Sequence, residues 1–406
     1  MTFFRRLRAG WSAAVVGALM LAVPLAAQAQ KKYDPGASDT EIRIGNSAPY
    51  SGPASAYGTI GRAMSAYAAK INAEGGVNGR KINLLSLDDG YNPAKAVEQT
   101  RKLVEQEEVL AMFAMMGSGN ILAVQRYLNG KKVPQLFLLS GASRFDDPKN
   151  FPWTLGWMPS YRAEARIFAE YVQANMPNAK IGVLYQNDEF GKDYLNGLTD
   201  ALGDKAKKMI VAQISYEVTD PTIDSQLIAL KASGADVLFN ISSPKFAAQS
   251  IRKVGELGWK PFHYLSAVSA SVASVLKPAG LDHSTGLVTA MFMRDPSDPS
   301  QASTQEVKEY LAFMKAHYAA GDPNDPYNVF GYSLMQTLVH TLRQCGDNLT
   351  RANLMQQASS LSMTVPMLLP GIDVRTGPDD FRPVERLQLA RFNGSRFELF
   401  GKVLGR

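Results

Sequence analysis

The chain of 406 residues has a single cysteine, Cys345, and only four histidines. One cysteine rules out an internal disulfide and leaves no cysteine cluster for zinc. His263, His283, His317 and His340 are scattered, and none forms an H-E-x-x-H pair. G-x-x-x-x-G-K-[ST] is missing, which excludes a P-loop. No G-x-G-x-x-G opens the first helix, which excludes the dinucleotide fingerprint. Lysine and arginine never form a run that would track a phosphate backbone, and the net charge is only +6, so nucleic acid is not an expected partner. Beyond the amino-terminal segment no stretch approaches ~18 uninterrupted apolar residues, so the body of the chain is expected to be soluble. No cofactor and no metal are expected. Cys345 ends the apolar run LMQTLVHTLRQCG and reads as a buried, inert thiol.

The amino terminus is different in kind. Arg5, Arg6 and Arg8 precede an apolar run from Ala13 to Ala26, and Ala27-Gln28-Ala29 is a small-x-small cleavage site. That is a secretory signal peptide over residues 1–29, too short and wrongly flanked for a stable membrane span. No cysteine follows the run, so a lipid anchor is not expected. The remainder is long enough for two domains at ~100–200 residues each.

From Glu41 onward, strand-like and helical runs alternate. EIRIGNSAP reads as a strand, and TIGRAMSAYAAKINAEGG then places Ile60, Met64, Tyr67, Ala68 and Ile71 on one helical face. KINLLSLDD is the next strand, Pro93 opens a helix, and VLAMFAMM is apolar throughout, as a strand buried on both faces would be. After FPWTLGWMPS the rhythm restarts and runs through KIGVLYQND, ADVLFNIS and FHYLSAV to GLVTAMFM. Two such series predict two open parallel-sheet domains. Three amphipathic helices follow, and LQLARFNGSRFELFG reads as a hairpin turned at Asn393-Gly394.

The polar residues collect in loops after strands. Gly117-Ser118-Gly119-Asn120 precedes a helix, and Ser140-Gly141-Ala142-Ser143 follows QLFLL. Open parallel sheets bind ligands outside such ends, where helix N-termini offer N–H groups to an anion. Each loop alone is equally readable as a helix N-cap. Ser118 is not in a G-x-S-x-G elbow. Asp88-Asp89 on a strand point to opposite faces and read as capping or hinge groups rather than an acid pair.

SGPASAYG (Ser51 to Gly58), AEGGVNGRKINLLSLDDGYNPAKAVEQTRKLV, MGSGN and LFLLSGAS together resemble the leucine/isoleucine/valine-binding protein family, the extracytoplasmic solute-binding subunits of branched-chain-amino-acid-type ABC transporters. The resemblance implies an α/β type I periplasmic binding protein: two Rossmann-like lobes joined by three crossovers. Lobe one is expected at residues 39–159 plus 287–369, and lobe two at residues 160–286 plus 370–406. It implies a monomer in the periplasm that closes over a small ligand and presents it to a membrane permease. Matching positions assign Tyr57 to the ligand's apolar part, Gly117 and Ser118 to its head group, and Gly141, Ala142 and Ser143 to its carboxylate. Phe190, Asn240 and Tyr327 fall near aromatic positions of the family's pocket, and Trp157 lies near the first crossover, where hinge packing explains it equally well. In one respect the chain departs from the family. Amino-acid binders hold the ammonium with a carboxylate where this chain reads YLSAVSAS, Tyr264 to Ser271. Either Asp188 or Glu189 supplies the charge, or the ligand is a small carboxylate, aromatic or aliphatic, without an α-amino group. The rival readings are a ligand-sensing domain of a receptor or regulator, and a hydrolase of small amides or esters using Ser118 or Ser143.

Overall fold

The computed structural model describes residues 31–405. The expected secretory segment, with its expected cleavage site near Ala29, lies outside the described residues. Alternation in the strands sets what they bury: Glu41–Ala48 turns Ile42 and Ile44 into the core, both fully buried. In the first sheet Lys81–Asp88, Glu41–Ala48, Ala111–Phe113, Gln135–Leu138 and Thr154–Gly156 lie side by side, all parallel. The Glu41–Ala48 strand thus sits between the two that follow it in the sheet, which makes a switch point at their carboxyl ends. The second sheet repeats the order: Ile210–Tyr216, Ile181–Gln186, Val237–Ile241, Phe262–Leu265 and Val288–Met291. Arg386–Phe392 and Phe397–Gly405 extend it as an antiparallel hairpin. The hairpin turns at Asn393, whose side chain accepts the Ser395 and Arg396 N–H groups, and Gly394, at φ 101°.

Two expected lobe boundaries are corrected. Val288–Met291, expected in lobe one, pairs with Tyr264 on one side and with Gln388 to Arg391 on the other, inside the second sheet. The strand completes the second β-α series, and the chain crosses back only after it. Likewise Val374–Arg375 pairs with Ser362–Met363, so the hairpin alone, from Arg386, joins lobe two.

Three crossings therefore join the lobes, near residues 157–160, 292–298 and 376–385. They run close together: Gly156 N–H donates to the Phe381 carbonyl (3.2 Å) and Arg294 N–H to that of Met367 (2.8 Å). Trp157 is fully buried among them, edge-on to Phe292 at 5.9 Å, with its indole N–H on Thr337 Oγ1 (3.2 Å). Trp157 is hinge packing. The late helices Gln305–His317 and Pro326–Cys345 cover lobe one against Gly58–Ala73. Gly331 permits that approach, since a Cβ there would lie 2.6 Å from the Ile60 carbonyl. Among the described residues no helix is long and apolar enough to cross a membrane.

Candidate functional site

The loop SGPASAYG is tied down before it reaches the cleft. Asp88 accepts the N–H groups of Tyr50 and Ser51, the Ser51 hydroxyl (2.6 Å) and Lys95 Nζ (3.0 Å). Burial pushes the Asp88 carboxyl up, but these donors outweigh it and hold the group well below the ordinary range. Asp89 turns the other way and accepts the Ser47 hydroxyl and the Tyr91 N–H. Gly52, at φ 79°, lets the loop pass within 2.7 Å, measured from a would-be Cβ, of the Gly90 carbonyl. The result is to deliver Tyr57, one residue ahead of the Gly58–Ala73 helix, into the space between the lobes.

That space is walled by six rings: Tyr57, Tyr91, Tyr161, Phe190, Tyr327 and Phe330. Ile60, Met116, Gly117, Leu139, Met158 and Val268 complete it, and no lining residue carries an ionised side chain. Tyr57 meets Tyr327 edge-on at 5.2 Å, and Tyr161 meets Phe190 at 5.3 Å. The cleft is shut. Tyr57 Oη and Tyr327 Oη both donate to the Val268 carbonyl of lobe two, at 3.2 and 3.1 Å. About 30 Å³ remains for the centres of water molecules, room for one or two. A solute enters only when the lobes part.

The polar rim belongs to lobe one. Gly117 has φ 90° and caps the Ser118–Gly130 helix; a Cβ on it would meet the Tyr91 ring at 2.6 Å. Ser118 Oγ lies 2.8 Å from Ser140 Oγ, and Ser140 also accepts the Ala142 N–H (3.3 Å). The Tyr161 ring presses against Gly141, where a Cβ would lie 2.8 Å from Tyr161 Cδ1 and 2.0 Å from the Pro159 carbonyl. Burial pushes the Tyr161 phenol up to about 12, opposed by hydrogen bonds to Ser140, the Gly141 N–H and Ser118.

Ser118 and Gly141, beside the lining residues Gly117 and Tyr161, do not themselves line the cavity, and three further expected residues lie elsewhere. Ser143 points to the cleft mouth: its N–H and hydroxyl both donate to Asp193 of lobe two, at 2.9 and 2.7 Å, and Arg162 Nε joins that carboxylate at 2.8 Å. Ala142 is buried behind the rim and does not line the cavity. The expectation for Asn240 is corrected. It is sealed inside lobe two, donating to Ser250 Oγ (2.6 Å), bonded to His263 Nε2 (3.0 Å) and accepting the Ser242 hydroxyl. An asparagine in the middle of a sheet faces its own helices, not the strand's carboxyl end. Glu189 pairs with Arg144 across the mouth at 3.0 Å.

Three of the six rings, Tyr91, Tyr161 and Phe330, escape sequence reasoning. Tyr91 sits in DDGYNP at φ 59°, a left-handed backbone that no pattern of hydrophobicity announces. Tyr161 follows the N-cap Ser160 and reads as an ordinary helix start. Behind the cavity Asp188 caps Glu189–Leu202, accepting the Phe190 and Gly191 N–H groups and the Gln186 amide. Burial raises its carboxyl above the usual range against those donors. Glu164, deeper in lobe two, is pushed up to about 7 by burial, opposed by Tyr194, the Ala267 N–H and Tyr264. Its bond to Ala267 N–H (2.9 Å) fixes the turn that carries the Val268 carbonyl. Among the described residues no group of three or more His, Cys, Asp or Glu side chains could hold a metal ion.

Comparison with known proteins agrees with this architecture. The Leu/Ile/Val-binding protein homolog 7 of Brucella abortus is 24% identical over 318 residues, covering 76% of this chain and 78% of the relative. A branched chain amino acid ABC transporter protein of Thermus thermophilus, solved with bound valine, superposes with a TM-score of 0.79 at 16% identity, over 90% of this chain and 97% of that one. An ABC transporter solute binding protein of Rhodopseudomonas palustris BisB5, in complex with 3,4-dihydroxybenzoic acid, superposes with a TM-score of 0.76 at 18% identity, over 91% and 98%. Both share the two-lobed type I fold. A family model described as periplasmic binding protein matches residues 41–396. The chain belongs to the periplasmic binding protein family, a family of non-enzymatic binders.

Proposed function

We infer that this protein works in the periplasm as the solute-binding subunit of an ABC transporter, and that its ligand is a small carboxylate with an apolar or aromatic body and no α-amino group. The observation that carries the reading is the wall of six rings with no ionised side chain among them, set against a lobe-one rim of neutral donors. A buried ammonium would need a counter-charge. Asp188 is the nearest candidate, but its oxygens are already engaged by two N–H groups and the Gln186 amide. A carboxylate needs no cation here: N–H groups and hydroxyls stabilise it, as they do at helix N-termini. In this reading Ser118, Ser140 and the Gly141 N–H take the acid. Tyr57, Phe190 and Tyr327 enclose the body, with Tyr91 and Phe330 beside them. The relatives support both ligand types, since one neighbour holds valine and another an aromatic acid. Closure over the solute would present a joined surface to a permease. Hydrolysis fits less well: Ser118 is bonded to a second serine, which is no base for its proton.

A thermal-shift series on the mature protein tests the reading. Benzoate-type acids at about 100 times their dissociation constant should stabilise it by ~2.7 kcal/mol, with leucine giving no shift at the same concentration. Leucine binding as tightly as any aromatic acid would overturn it.

A further inference from the structure

Next to the ring-walled cavity lies a second one that the proposed role leaves unexplained. Ala270 and Val272 of lobe two, Met293 of the second crossover and Phe397 of the hairpin bound its apolar part, and Arg294, Asp295 and Asn324 give it a polar side. Tyr327 and Phe330 stand in the walls of both cavities. They lie three residues apart at the start of the Pro326–Cys345 helix, hence on one face. One layer of rings is therefore all that separates the two spaces. Protein interiors are otherwise close-packed, and the apolar part of such a space gives a water few partners. This one is lined on lobe two by residues as small as alanine and lies against the crossover that moves when the lobes part. The Tyr327 ring that divides the spaces is held at its tip by the Val268 carbonyl, an acceptor from the other lobe. Opening breaks that bond and frees the ring to turn.

We propose that the second cavity is a tail pocket. The ligand is an amphiphilic carboxylate, its acid at the lobe-one rim and its apolar tail passing Tyr327 into the space beside Met293: an arylalkanoate or a medium-chain acyl acid rather than a bare aromatic acid. The proposal rests on the carboxylate reading above and extends it.

Calorimetric titration of the mature protein with benzoate, 4-phenylbutanoate and octanoate tests it, on wild type and on Ala270→Phe, which fills the second cavity. Wild type should bind at least one of the two tailed acids at least tenfold more tightly than benzoate. Ala270→Phe should remove that advantage while leaving benzoate within twofold. Should that variant fail to fold, Val272→Phe reads the same effect from a neighbouring position. Equal affinity for all three acids, or an equal loss for all three in the variants, would overturn the tail pocket and leave the carboxylate reading standing. No binding of any of the three would remove both.

Discussion

The two lobes wall one cavity with different materials. Lobe one offers donors at the ends of short strands: the Ser118 and Ser140 hydroxyls and the Gly141 N–H, on a rim kept tight by Gly117 and the strained Tyr91. Lobe two offers an acceptor, the Val268 carbonyl, backed by the buried carboxyls Glu164 and Asp188, which are satisfied inside their own lobe. The contrast separates two tasks. A donor rim on a rigid sheet suits capture of an anion, while an acceptor on a supported turn suits closing over it by taking up the tyrosine hydroxyls of the other side.

If the lobe-one rim is rigid, crowding it is the most damaging change. Gly141→Ala forces a methyl toward the Pro159 carbonyl and the Tyr161 ring. It should cost about 3 kcal/mol of unfolding free energy in urea, and weaken ligand binding. A variant as stable as wild type would show the rim to be pliant and blur the comparison.

Lobe two should respond to pH through Glu164. Its folded pKa, about 7, lies above the unfolded value near 4.5, so folding takes up a proton between them. The stability this contributes is full below the unfolded value and is lost as pH rises through that window. Wild type should lose of order 2 kcal/mol from pH 4.5 to 7.5, and Glu164→Gln should flatten that slope, as read by denaturation at a series of pH values. A slope unchanged in the variant would assign it to other groups.

The smallest effect lies where the lobes only touch. Asp193→Asn weakens the clasp on Ser143 and Arg162. Only Ser143 reaches Asp193 across the cleft, while Arg162 shares its lobe and is 41% exposed, so the loss should be about 1 kcal/mol, felt mainly in closure. Small-angle scattering of the ligand-free variant should show a larger radius of gyration, with the melting temperature nearly unchanged. A melting temperature that falls as far as in Gly141→Ala would make the clasp part of the core.

The architecture is legible in the sequence because a parallel strand buried on both faces and a helix with a 3.6-residue stripe are local signals. EIRIGNSAP, VLAMFAMM and the Gly58–Ala73 helix carry them plainly. The lobe boundary expected at residue 287 is misplaced because GLVTAMFM looks the same in either sheet; only its partners decide. At the site, Tyr57 and Phe190 are legible from their motifs, and the structure places both on the cavity wall. Ser143 is not, since its partner Asp193 is 50 residues away on another lobe. Asn240 depends on which side of a sheet strand it faces, and Tyr91 on a backbone angle.

The lone thiol has a practical consequence. Cys345 is 4% exposed, and burial pushes it up to about 12, so a maleimide dye would leave the native protein unlabelled. A single cysteine engineered at Arg144, on the mouth, would then carry a fluorophore at one defined place. It would turn the swing of the lobes into an optical signal, a reagentless sensor that reports closure whatever the cargo.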